Sequence, residues 1–193
     1  AGKRVAHGGD LSTIRRRFPD ATEPWIDLST GINPVPYPVG DLSPEIWKRL
    51  PTRQQEEALL IAAARRYGVR DTATIVAAPG TQALIQLLPR LMPTSRVAVI
   101  GPTYEEHEVC WRRHGHDVSV RAGLDQVQDC EVVIAVNPDN PTGRVLPADR
   151  MPTGRRLLLI DEAFVDVLTE GASLASHLPP RTLAAIVPGD AEQ

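Results

Sequence analysis

At 193 residues the chain is long enough for one well-buried domain, since domains usually run about 100–200 residues. With 42% hydrophobic and 23% charged residues it sits near the globular average, which excludes wholesale disorder, collagen-like repeats and coiled coils. Twenty-four acids against 21 scattered bases leave a net charge of −3, so neither nucleic acid nor a membrane surface is expected as a partner, and small-molecule chemistry moves forward.

Cys110 and Cys130 form no C-x-x-C pair and are too few for a disulfide framework, which suits a reducing compartment and predicts a cytoplasmic setting. The opening ten residues carry no apolar signal segment, no apolar run approaches bilayer length, and the start without methionine suggests processing or a fragment.

The first fifty residues are irregular. Asp27-Leu-Ser-Thr-Gly-Ile-Asn-Pro-Val-Pro-Tyr-Pro-Val-Gly40 packs three prolines and two glycines into fourteen residues, which predicts an extended, turn-rich arm. Ser43-Pro44 predicts a short helix, with serine as cap and proline at the first helical position. Thr52-Arg-Gln-Gln55 has capping-box spacing, and Ala58, Leu59, Ala62, Ala63 and Tyr67 predict an amphipathic helix that Gly68 stops. Short apolar runs then alternate with helical stretches. The expected elements are strand Thr74–Ala78, helix Thr81–Leu91, strand Arg96–Ile100, helix Thr103–His114, strands Asp117–Val120, Glu131–Val136 and Arg156–Ile160, and a last apolar run at Leu183–Val187. This rhythm predicts an α/β fold with a mostly parallel sheet and helices on both faces, divided into an arm of residues 1–50 and a domain of residues 51–193.

In open α/β sheets ligands bind beyond the carboxyl ends of the strands, so the residues that follow each run carry the functional signal. Ala78-Pro-Gly-Thr-Gln82 is a small-residue turn entering a helix, able to offer backbone N–H groups, the Thr81 hydroxyl and the helix dipole to a phosphate. Gly101-Pro-Thr-Tyr104 places an aromatic ring at the mouth of the same crevice. In Asn137-Pro-Asp-Asn-Pro-Thr-Gly143 two Asn-Pro steps force a turn and leave the Asn140 amide available. Arg156-Leu-Leu-Leu-Ile160 delivers Asp161, a carboxylate that is costly to desolvate without a cationic or protonated partner. The Leu-Leu-Ile-Asp-Glu string also has the look of a magnesium-holding Walker B segment, but no G-x-x-x-x-G-K-[ST] loop accompanies it, and no G-x-G-x-x-G dinucleotide fingerprint is present.

Taken in order, Gly80-Thr81-Gln82, Tyr104, Asn137-Pro-Asp-Asn-Pro-Thr-Gly143 and Asp161-Glu-Ala-Phe164 resemble the pyridoxal-phosphate enzymes of the class I/II aminotransferase family across nearly the whole chain. The resemblance implies an incomplete fold-type I large domain, preceded by an arm that begins the small domain. It implies that Gly80, Thr81 and Gln82 bind the phosphate of pyridoxal 5′-phosphate and that Tyr104 stacks on its pyridine. Asn140 would hydrogen-bond the ring 3′-oxygen, and Asp161 would pair with the protonated ring nitrogen. His7-Gly8-Gly9-Asp10 and Asp27-Leu-Ser-Thr-Gly-Ile-Asn33-Pro34 are most similar to family members that decarboxylate a phosphorylated amino acid in cobalamin biosynthesis, which assigns His7, Gly8 and Asn33 to the substrate. Aminotransferases of the histidinol-phosphate type share the later motifs and form one alternative; a non-catalytic remnant or interaction subunit forms another. The family also implies a homodimer.

The chain departs from the family pattern in several places. Leu50-Pro51 stands where relatives usually carry Tyr-Pro, and Phe164 where many have a tyrosine that shares the 3′-oxygen. The family's cofactor lysine lies in a Ser-x-x-Lys-type segment, whereas the only lysines here are Lys3 and Lys48, so no catalytic residue is assigned. The family's sheet places a late strand, from residues beyond Gln193, next to the first one, which predicts an unfilled slot beside Thr74–Ala78 and a tendency to associate.

His107, Cys110 and His114 share a helix face, with His116 just beyond, but the interleaved Glu105, Glu106 and Glu108 read as a solvated helix rather than a zinc site, and no metal is expected. Arg15-Arg16-Arg17 beside Phe18-Pro19 reads as a solvated helix end.

Overall fold

A computed structural model describes residues 8–31, 35, 38–169, 172–178 and, for the backbone alone, 182–185. The chain forms two compact units, Ala1–Arg49 and Leu50–Gln193.

In the first unit, α1 (Leu11–Arg17) begins at Asp10, whose carboxylate accepts a hydrogen bond from the Ser12 backbone N–H at 2.9 Å. Bonds from the Ser12 hydroxyl and backbone hold Asp10 below the usual carboxylate range. Arg15, Arg16 and Arg17 fill the exposed last turn, as the sequence suggests. Ser43 caps a single 3-10 turn, Pro44–Trp47, rather than an α-helix. None of this unit's described residues is buried.

The second unit opens with α2 (Arg53–Tyr67). Both halves of the Thr52/Gln55 capping box are formed, and Gly68 ends the helix at φ 68°, a left-handed conformation that glycine adopts without a Cβ penalty. The stripe turned inward is Leu60, Ala63, Ala64 and Tyr67, which keeps Ala63 and Tyr67 of the expected face while Ala58, Leu59 and Ala62 are exposed. The Tyr67 hydroxyl donates to Asp166 Oδ2 at 3.2 Å while Arg66 grips Asp166 Oδ1 at 2.6 and 3.1 Å, and this anchor selects the face that packs.

Helix α3 (Thr81–Leu91) precedes β1 (Arg96–Ile100), α4 (Glu105–Arg113), β2 (Asp117–Arg121), β3 (Val132–Val136), β4 (Leu157–Asp161) and β5 (Thr182–Ala185). All pairings are parallel and the strand order is β2-β1-β3-β4-β5. β3 and β4 are buried throughout, the near-continuous apolar pattern of strands covered on both faces. One face packs Val97, Val99, Val132, Ile134 and Leu159 against Trp111 of α4 and Leu88 of α3. The other packs Ala98, Ile100, Val133, Ala135 and Ile160 under Val127, Leu146 and Leu174, side chains of the connecting loops and turns.

The expected strand Thr74–Ala78 is absent. Thr72–Thr74 forms a 3-10 turn capped by Asp71, and residues 75–78 run on without a place in the sheet, Val76 being 79% exposed. A short apolar run becomes a strand only when a neighbour pairs with its backbone, and none of the described strands lies beside this one. The last strand spans Thr182–Ala185 rather than Leu183–Val187, whose final residues, Ile186 and Val187, lie outside the described residues.

Candidate functional site

The carboxyl ends of β1 and β4 meet the first turn of α4. Asp161 closes β4 and is only 3% exposed. Its Oδ1 accepts from the Ala163 backbone N–H at 3.0 Å, and its Oδ2 lies 2.8 Å from Nε2 of His107, which donates to it. His107 is buried as well, and its Nδ1 has no hydrogen-bond partner among the described residues. A carboxylate this deeply buried requires hydrogen bonds or a cation, because removal from water otherwise costs several kcal/mol.

α4 also gathers the other predicted residues. Tyr104 occupies its N-cap position and presents its ring edge-on to His107, with centroids 6.2 Å apart at 84°. Glu106, adjacent to His107, receives a hydrogen bond from Gln82 Nε2 at 3.4 Å and one from the Cys110 thiol at 3.5 Å. Burial, and then the neighbouring Glu106, push the Cys110 thiol above its ordinary value. Gln82 and Asp161 are therefore tied to successive residues of one helical turn. Gly80, at φ 75°, turns the chain into α3, and no side-chain cap bond is made at that helix start among the described residues.

Asn140 lies on the loop after β3, which pairs with β4 so that Val136 stands opposite Asp161, and the Asn137 backbone N–H donates to the Asp161 carbonyl at 2.7 Å. Asn140 is half-buried and its side chain makes no hydrogen bond among the described residues. The structure thus brings Gly80, Thr81, Gln82, Tyr104 and Asp161 to one end of the sheet, with the Asn140 loop starting at the same place. Gly8 belongs to the first unit, where an added Cβ would stand 2.1 Å from the Ser29 carbonyl oxygen, while His7 and Asn33 lie outside the described residues.

One expectation for α4 needs correction. Glu106 and His107 are buried rather than on a solvated face, because that face of α4 meets α3 and the tip of β4. His107, Cys110 and His114 do not converge: His107 faces Asp161, and His114 sits between the Cys110 carbonyl at 2.8 Å and Arg90 Nε at 3.1 Å. The signal for His107 was its spacing, since three residues after Tyr104 is one helical turn on the same side.

Residues 26–185 match the family described as aminotransferase class I and II, and the chain belongs to that family. It is 41% identical over 182 residues to a threonine-phosphate decarboxylase of Sinorhizobium sp and 39% identical over 185 residues to one of Pseudomonas aeruginosa. These alignments cover 90% and 89% of this chain but 54% and 53% of those proteins, so the chain spans about half the length of the curated relatives it matches. Among solved structures, a histidinol-phosphate aminotransferase from Sinorhizobium meliloti in complex with pyridoxal-5′-phosphate has the same fold, with a TM-score of 0.53 at 22% identity over 67% of this chain and 41% of that one. No described helix is long and apolar enough to cross a membrane.

Proposed function

We propose that the chain is the pyridoxal-phosphate-binding region of an enzyme that decarboxylates L-threonine O-3-phosphate in cobalamin biosynthesis. The observation that carries the cofactor reading is the buried Asp161 carboxylate at the tip of β4, braced by His107 and paired with no lysine or arginine among the described residues. A protonated ring nitrogen is the partner such a group fits, and the uncapped α3 N-terminus fits a phosphoryl group. The substrate reading rests on the curated relatives, both named threonine-phosphate decarboxylases; the fold alone suits a histidinol-phosphate-type aminotransferase equally.

When bound, the cofactor supplies an electron sink for the pair left on the substrate Cα. Asp161 would face the proton on the ring nitrogen, and the hydrogen bond from His107 would hold the Asp161 side chain in place. Gly80, Thr81 and Gln82 would fix the phosphate, Tyr104 would cover the ring face, and Asn140 would donate to the 3′-oxygen. His7, Gly8 and Asn33 would recognise the phosphorylated amino acid, on an arm that begins the small domain. Neither Lys3 nor Lys48 stands in a Ser-x-x-Lys-type segment, and Lys48 is paired with Glu45 at 3.2 Å, so the covalent link is assigned to no residue of this chain. A homodimer and a cytoplasmic setting complete the reading.

Calorimetric titration with 4′-deoxypyridoxine 5′-phosphate, which has no aldehyde, tests the site directly. Saturable binding that Asp161→Asn weakens about tenfold or more supports it, one pKa unit of proton affinity being worth about a factor of ten. Absence of saturation, or equal affinities, refutes it. In the protein carrying this chain, CO₂ release from L-threonine O-3-phosphate without 2-oxoglutarate distinguishes decarboxylation from transamination.

A further inference from the structure

Asp161 is followed by a second carboxylate that the proposed chemistry does not use. Glu162 is completely buried, at 0% exposure, and no cation pairs with it among the described residues. Three donors converge on it: Asn137 Nδ2 at 2.9 Å and the Leu174 backbone N–H at 2.9 Å on Oε1, and the Ser173 hydroxyl at 2.6 Å on Oε2. Hydrogen bonds to a carboxylate are among the stronger ones, and these join the ends of β3 and β4 to the turn at Leu174–Ser176.

Asn137 is equally buried, and three of its polar groups have distinct tasks. Its backbone N–H donates to the Asp161 carbonyl at 2.7 Å, its Nδ2 donates to Glu162, and its Oδ1 accepts from the Leu146 backbone N–H at 2.9 Å. The Leu146 backbone N–H can only donate, so the amide must turn Oδ1 to Leu146 and Nδ2 to Glu162. Rotating it by half a turn would break both side-chain bonds. The bond from Leu146 closes the loop of residues 138–145 at its base, outside the inner closure formed by Asp139 N–H to Arg144 O at 2.8 Å and Gly143 N–H to Asp139 O at 2.6 Å. Asn140 rides on that loop. The two asparagines of the Asn-Pro pair thus divide the work: Asn137 ties the loop down, and Asn140 stays available.

We propose that Glu162 is a positioning residue: its carboxylate orients the Asn137 amide and through it holds the 138–145 loop that carries Asn140. The importance of Asn140 rests on the function proposed above, whereas the clamp stands without any ligand.

Hydrogen exchange of the Leu146 amide in the ligand-free protein is the test. Glu162→Ala leaves the Asn137 amide free to turn, and Leu146 should exchange about tenfold faster or more, with the amides of Val97 and Val99 in β1 unchanged. Glu162→Gln should restore most of the protection, because its carbonyl oxygen can still accept from Asn137 and Leu174. Asn137→Ala should match Glu162→Ala at Leu146, and the double variant should add little. Should Glu162→Ala fail to fold, Glu162→Asp, which withdraws the carboxylate by one methylene, should still accelerate Leu146 about threefold or more. Leu146 exchange within about twofold of the parent in the folded Glu162 variants overturns the proposal. Affinity for 4′-deoxypyridoxine 5′-phosphate should fall in Glu162→Ala and recover in Glu162→Gln. A parent that does not bind the probe sinks the cofactor reading and leaves the exchange result to decide the clamp.

Discussion

β3 (Val-Val-Ile-Ala-Val) and residues 74–78 (Thr-Ile-Val-Ala-Ala) are apolar runs of the same length that read alike as strands, yet they end in different states. β3 is buried from end to end between β1 and β4, whereas residues 75–78 stand outside the sheet with Val76 exposed. The difference lies in what surrounds each run: strand character is a fit to paired neighbours and to side chains packed above and below.

The largest contrast should appear on truncating one side chain in each run. Ile134→Ala in β3 should cost about 2–5 kcal/mol in urea unfolding, because the cavity has Trp111 and Leu159 as its packed neighbours. Val76→Ala should stay within about 0.5 kcal/mol, as for other exposed positions; a comparable loss at both sites would mean that residues 75–78 are packed. Next comes the strand tip. Asp161→Ala strips the buried His107 Nε2 of its partner and should cost about 1–3 kcal/mol by the same assay. Further from the sheet, Thr52→Ala removes one half of the α2 capping box and should cost about 1 kcal/mol.

The smallest effect concerns the tie between α2 and the loop after β4. Burial, followed by the Asp166 charge, pushes Tyr67 up to about 12. A tyrosine whose folded value is raised keeps its proton where the unfolded chain has lost it. Its contribution is therefore complete below about pH 10 and lost as pH rises through about 12. Alkaline unfolding curves of the parent and Tyr67→Phe should converge across that window; parallel curves would show that the phenol is not held by Asp166.

Much of this was legible in the chain itself. β-branched runs at Arg96–Ile100 and Val132–Val136 announced the sheet, and the residues after them marked where a candidate site should be sought, since a strand tip admits a polar side chain only where something meets it. What escaped was burial decided by a neighbour. Glu105-Glu106-His107-Glu108 has the composition of a solvated helix, and only the approach of α3 and β4 reveals that Glu106 and His107 point inward. Glu162 escaped for the same reason: its three donors come from residues 11 to 25 positions away. The inner stripe of α2 depends on Asp166, about a hundred residues further on.

The account turns on whether Asp161 can hold a proton on a B6 ring nitrogen. Nitrogen-15 NMR of ring-labelled 4′-deoxypyridoxine 5′-phosphate, titrated with pH while bound, reads that proton directly. The bound ring should stay protonated to a higher pH than the free probe in the parent protein, with the difference abolished by Asp161→Asn. A bound ring that titrates like the free probe, or identically in the variant, would contradict the assignment.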